Sequence, residues 1–210
     1  MKKSMSMLWV LAAILICGIG MLSSCNKFDQ SQDNKNSMDY LREDYAAVVA
    51  AYPEFEGRFV EARYELNGLL SETNADLLKP VAVDCYFYRV CLEGEAVTGY
   101  EVVEMLRNFE TGEREMEKYE LEMPWWGDQF ITSLDNYISL EKAIGCAYAA
   151  NCIKPASKYV VFRNPVHLTP AHEDCMYIFG DGEEDGLLYI DAVTGRVIAT
   201  PDENLTTAGI

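Results

Sequence analysis

The last third of the chain, Ile138 to Thr200, narrows the available folds most. A helical apolar stripe is followed there by short apolar runs, the last two joined by a tight turn. Ser139 can cap a helix, because its hydroxyl can accept from the free amides of the first turn, and Glu141 suits the positive end. Behind them Leu140, Ala143, Ile144, Ala147 and Tyr148 recur at helical spacing. Asn151 and Pro155 close that element. Ser157 to Arg163 is rich in β-branched and aromatic residues, which favour a strand. Asn164-Pro165 and Pro170 make the next segment irregular, since proline cannot donate to a ladder. Cys175 to Phe179 and Leu187 to Asp191 are further strands around an acidic loop, and Arg196 to Thr200 is the last. Asp191 and Gly195 punctuate the final turn. A helix on a small antiparallel sheet buries both apolar faces. Leu140, Ile144, Ala147 and Tyr148 are therefore expected against Val160, Ile178, Tyr189 or Ile190, and Val197 or Ile198.

The first half repeats this order. Asp39 to Tyr52 reads as a helix with Leu41, Tyr45, Val48, Val49 and Tyr52 on one face, ended by Pro53. Residues 55–80 fit two patterns. Val60, Ala62, Tyr64 and Leu66 alternate as in a strand, whereas Phe55, Phe59, Ala62, Leu66 and Leu69 would stack along a helix. Asn67-Gly68 favours the strand, being a strong hairpin signal and a poor helix interior. Val81 to Leu92, Tyr100 to Phe109 and Glu117 to Met123 follow as strands, the last two joined by Glu110-Thr-Gly-Glu113. Thr111-Gly112 and Thr194-Gly195 hold equivalent places. Either one unit has duplicated and diverged, or two antiparallel stretches share a frequent turn. The expected fold class is α+β, with a helix packed on an antiparallel β-sheet in two tandem units, residues 38–123 and 138–210, joined by a linker at 124–137.

Tyr189-Ile-Asp-Ala-Val-Thr-Gly-Arg-Val-Ile198, downstream of Ser139-Leu-Glu-Lys-Ala-Ile144, resembles the PepSY and PepSY-like domains of bacterial envelope proteins. In that family a helix opening with a Leu-Glu-x-Ala-type run precedes strands whose last two are joined by an Asp-x-x-Thr-Gly turn. The resemblance covers the final third and implies an envelope binding or regulatory role, including restraint of peptidases. It implies no catalytic residues, because the shared motif is structural.

Lys2 and Lys3 precede an apolar run from Met7 to Leu22, followed by Leu22-Ser-Ser-Cys25. A basic start, an apolar run and small residues describe a secretory signal over residues 1–24. The run is shorter than the roughly 20 apolar residues of a membrane span. Its ending resembles a bacterial lipobox, in which the cysteine becomes the first mature residue and carries lipid, so Cys25 is the expected lipidation site. Residues 25–37, polar and almost without apolar content, read as a flexible tether. Losing residues 1–24 removes two lysines and no acid, which takes the net charge from −17 to −19. So acidic a body excludes nucleic acid as a partner and disfavours lying flat on anionic lipid. The expected location is the bacterial cell envelope, with the membrane reached through lipid on Cys25. Asn26 after the cysteine favours an outer membrane.

Five cysteines remain besides the anchor: Cys85, Cys91, Cys146, Cys152 and Cys175. Cys85 and Cys91 lie about 20 Å apart along one strand, and Cys146 and Cys152 about 9 Å apart along a helix. Neither pair can bridge, and without a Cys-x-x-Cys they read as small buried residues. His167, His172, Glu173, Asp174 and Cys175 match no zinc ligand spacing. Asp181, Glu183, Glu184 and Asp185 offer oxygens to calcium but lack the order of an EF-hand loop. Trp125-Trp126-Gly127-Asp128 is either a clamp between the halves or an exposed aromatic platform. No nucleophile elbow, His-Glu-x-x-His or phosphate loop occurs. The expectation is a non-catalytic envelope lipoprotein without cofactor or metal that binds a protein or peptide. The alternative is a small-ligand or calcium-binding lipoprotein, using the residues near Trp125 and Trp126 or the loop at Asp181 to Asp185.

Overall fold

The computed structural model describes residues 35–124, 129–149, 156–165, 175–180 and 188–199, all within one compact unit. The signal, Cys25 and nearly all of the tether lie outside these residues.

Asn36 starts the first helix, α1 (Ser37–Ala51). Its side chain accepts from the Met38 and Asp39 amides, while the Asp39 carboxylate accepts from the Asn36 amide. This reciprocal box satisfies amides that the first turn leaves free. Pro53 opens a 3₁₀ turn and ends the helix. Four strands follow: β1 (Phe59–Leu66), β2 (Pro80–Glu93), β3 (Ala96–Asn108) and β4 (Arg114–Leu121). The second half repeats the order with α2 (Leu140–Ala149), β5 (Tyr159–Arg163), β6 (Met176–Phe179), β7 (Leu188–Asp191) and β8 (Val197–Ala199). Every pairing is antiparallel, in one eight-stranded sheet ordered β4-β3-β2-β1-β5-β6-β7-β8. The fold is mixed α+β. Each half is a helix followed by a four-stranded meander, and the two meanders meet through their first strands, with Arg63 opposite Val161.

Both helices cover the same face. Leu41 and Val48 of α1 join Leu140, Ala143, Ile144 and Ala147 of α2 in one core with Phe87, Phe162, Tyr177 and Ile190. The segment expected as a linker contributes Ile131 and Leu134 to this core, and Ile131 bridges to Phe59. The helix stripe was correctly placed against Val160 and Ile190, with Val197 packed beside them. Ile178 and Tyr189 belong elsewhere. They cluster with Val161 and Met176 on the opposite face. Residues of β6 are buried on both faces, so apolarity alone gave no alternation from which to choose.

Residues 59–66 are a strand, as Asn67-Gly68 suggested, but no two-residue hairpin follows. The chain runs through residues 67–79, including a 3₁₀ turn, before β2 begins. The Asn67 side chain spans this connection, donating to the Leu77 carbonyl and accepting from the Lys79 amide. Asparagine's capacity to hold backbone at a distance outweighed its preference for a tight turn.

The two Thr-Gly turns superimpose in their bonding. Asp191 Oδ1 accepts from the Val193 and Thr194 amides, and Asn108 Oδ1 from those of Glu110 and Thr111. The glycine amide returns to the first residue's carbonyl in each, from Gly195 to Asp191 and from Gly112 to Asn108. Both glycines take positive φ, 76° and 73°, as this turn requires.

Candidate interaction surface

Side chains alternate across the sheet, so one set packs under the helices and the other forms a second face. Next to the centre of that second face is Glu61, only 1% exposed. A carboxylate so buried needs partners. Arg63 Nε and Nη2 each approach it to 2.6 Å, and Arg163 Nη1 lies at 3.1 Å. The Glu61–Arg163 pair crosses from β1 to β5, joining the two halves. Nearby, Arg63 lies 5.2 Å above the Tyr86 ring, and Tyr86 donates to Glu104 Oε1 at 3.0 Å. Burial and that donated bond push the Tyr86 hydroxyl well above its ordinary value. Tyr88 stacks between Tyr100 and Phe130, and Arg58 covers Phe130.

Charge is sorted between the two faces. Under the helices every base of β2–β4 has an acid. Arg107 binds Asp44 through two bonds of 2.7 and 2.6 Å, and Arg114 lies 3.7 Å from the same carboxylate. Lys118 contacts Glu54 and Glu101, and Arg89 contacts Glu101. On the second face the acids Asp84, Glu104, Glu115 and Glu117 occupy neighbouring strands and form no ion pair among the described residues. Burial, followed by the charge of Glu104, raises the Asp84 carboxyl above the usual range.

A separate surface cavity of about 490 Å³ is lined by Lys35, Tyr40, Lys79, Phe109, Glu110 and Glu141, among others. Its rim includes the contact between the two helix starts. Ser37 Oγ donates to Glu141 Oε2 at 2.9 Å and accepts from the Leu140 amide at 2.8 Å, while the Ser37 amide donates to Glu141 Oε1 at 3.0 Å. Each helix start is thus capped by the other. Ser139, expected to cap α2 alone, accepts only a 3.4 Å bond from the Lys142 amide.

Cys85, Cys91 and Cys146 are free thiols. Cys85 and Cys175 are buried, and the Cys175 thiol donates to Asn164 Oδ1 at 2.9 Å. No three or more histidine, cysteine, aspartate or glutamate side chains are arranged for a metal among the described residues. Trp125 to Asp128, Cys152, His167, His172, Glu173, Asp174 and Asp181 to Asp185 lie outside them. Sequence reasoning did not single out Asp44, Glu61 or Ser37. Asp44 was legible, standing three residues after Leu41 and four before Val48 on the apolar stripe. Ser37 depends on partners about a hundred residues away, as does Glu61 for Arg163, and no local pattern encodes these. No protein-family model, curated protein or solved structure matches this chain.

Proposed function

We propose that this chain is a non-catalytic lipoprotein of the bacterial cell envelope, anchored through lipid on Cys25, whose PepSY-like halves bind a protein or peptide partner. Restraint of a peptidase is the role that the family resemblance suggests. The observation that carries the binding reading is the second face of the sheet. It presents charge and tyrosine across adjacent strands and ends at β4, an edge strand whose outer backbone groups pair with no described strand. Such an edge can accept an extended segment by strand addition. The matched helix–meander halves and their equivalent Asx-Thr-Gly turns support the PepSY-like, duplicated reading. Among the described residues no helix is long and apolar enough to cross a membrane.

Two measurements test this. Cys25→Ala should accumulate as uncut precursor or lose its membrane association; a processed variant still sedimenting with membranes would refute the anchor. Crosslinking the full-length protein in intact envelopes should then recover a stoichiometric protein partner, and a blank result would count against the binding role. The cavity lined by Lys35, Lys79, Glu110 and Glu141 favours a second reading, a small-ligand-binding lipoprotein. A saturable rise in melting temperature with such a ligand, without a protein partner, would support that reading. The calcium form of it predicts the same rise with calcium alone.

A further inference from the structure

We infer that the partner segment is an extended basic peptide that adds to β4 as a ninth strand, with lysine or arginine at every second residue. This rests on the binding role proposed above and names the partner's chemistry.

The edge itself selects the partner. Glu115 and Glu117 point to the second face, exposed and without an ion pair among the described residues. Behind them, one and two strands inward, stand Glu104 and Asp84. A ninth strand would set its own alternate side chains about 5 Å from Glu115 and Glu117, the cross-strand spacing at which opposite charges attract and like charges repel. Basic residues at positions i and i+2 would meet both. The intervening side chains would lie beside Arg114, Met116 and Lys118 on the helix face. Arg114 and Lys118 are already held by Asp44, Glu54 and Glu101, so that side asks for apolar or small residues rather than for charge.

A second copy of this chain fits badly. Its charge is −17, and centring an antiparallel pair of β4 strands on Glu117 sets that carboxylate opposite its own copy. The unpaired acids therefore discourage self-association through the edge while leaving it open to a basic strand.

The probe is a ten-residue peptide of alternating lysine and valine, titrated into the full-length lipidated protein in detergent while backbone amide exchange is followed. Saturable binding with slowed exchange at Arg114 to Leu121 is expected. Binding should weaken about tenfold or more in the Glu115→Lys, Glu117→Lys double variant, because two attractions become repulsions. The double variant Glu93→Lys, Glu95→Lys, with the same net charge and at the distant β2–β3 turn, should bind as the parent does. The same peptide N-methylated on alternate amides keeps its charge but cannot complete a ladder, and should not bind. Equal binding by the methylated peptide, equal loss in both double variants, or no binding at all would each overturn the inference. A partner crosslinked in envelopes that leaves β4 exchange unchanged would refute the edge and leave the broader binding role standing.

Discussion

At the scale of single residues, stability rests on a few buried polar groups. Tyr64, on the central strand, has a fully buried hydroxyl with no hydrogen-bond partner among the described residues. A buried, unsatisfied hydroxyl costs about 1–3 kcal/mol. Tyr64→Phe is therefore expected to leave stability unchanged or raise it by about 1 kcal/mol in a denaturant titration; a loss would mean that the hydroxyl is bonded after all. Asp44 is the opposite case. Asp44→Ala strands the buried Arg107 guanidinium, and breaking such a pair typically costs about 3–5 kcal/mol. Asp84 supplies a pH signature. Its carboxyl is raised above the ordinary aspartate value of 3.8, so the folded state holds this proton more tightly than the unfolded chain does. Ionisation then disfavours the folded state as pH climbs from that ordinary value through the raised one, and the penalty stays constant above it. Asp84→Asn should be more stable than the parent at pH 7, with the difference closing below pH 3.8. An advantage that persisted unchanged at pH 3 would exclude ionisation as its source.

At the scale of elements, local chemistry was legible wherever the partner was local. The helices and strands fell where periodicity put them, because an alternating or a helical stripe has one way to face a core. The final turn was readable from Asp191 and Gly195, since the side chain and the positive φ act within the turn itself. Its packing was not readable. A Cβ on Gly195 would stand 2.7 Å from Cys146 Sγ on α2, so the glycine serves both the turn and the helix contact. Gly195→Ala should cost about 1–2 kcal/mol from left-handed backbone alone, and more from this overlap. The pairing of helix starts was equally hidden, because Ser37 and Glu141 lie far apart in sequence. Ser37→Ala removes the acceptor for the Leu140 amide and a donor to Glu141, with an expected loss of about 1–2 kcal/mol.

At the scale of the whole molecule, the order of elements could be read from sequence but their union could not. Two tandem helix-on-sheet units were expected, and the strands of both lie in one continuous sheet. That their first strands would pair, and that one core would run beneath both helices, depends on β1 offering its free backbone edge to β5, and a strand pattern does not name its neighbour. One shared core predicts one cooperative unfolding transition, with equal calorimetric and van't Hoff enthalpies. Two separate transitions would show the halves to be independent.

The central place of β1 also bears on how the chain is made. Synthesis delivers the first half before the second, so β1 to β4 can be complete while β5 is still absent. Through that interval the open side of β1 carries unpaired amides and carbonyls beside Phe59, Ala62, Tyr64 and Leu66. That is the kind of template on which chains aggregate or swap segments. Glu61 meanwhile has Arg63 but still lacks Arg163. A chain halted before residue 156 should accordingly form concentration-dependent oligomers through β1, and adding the remaining segment in trans should dissolve them. Under the export proposed above the hazard falls during translocation, which makes the joining strand of the finished sheet the one most in need of shelter before the sheet exists.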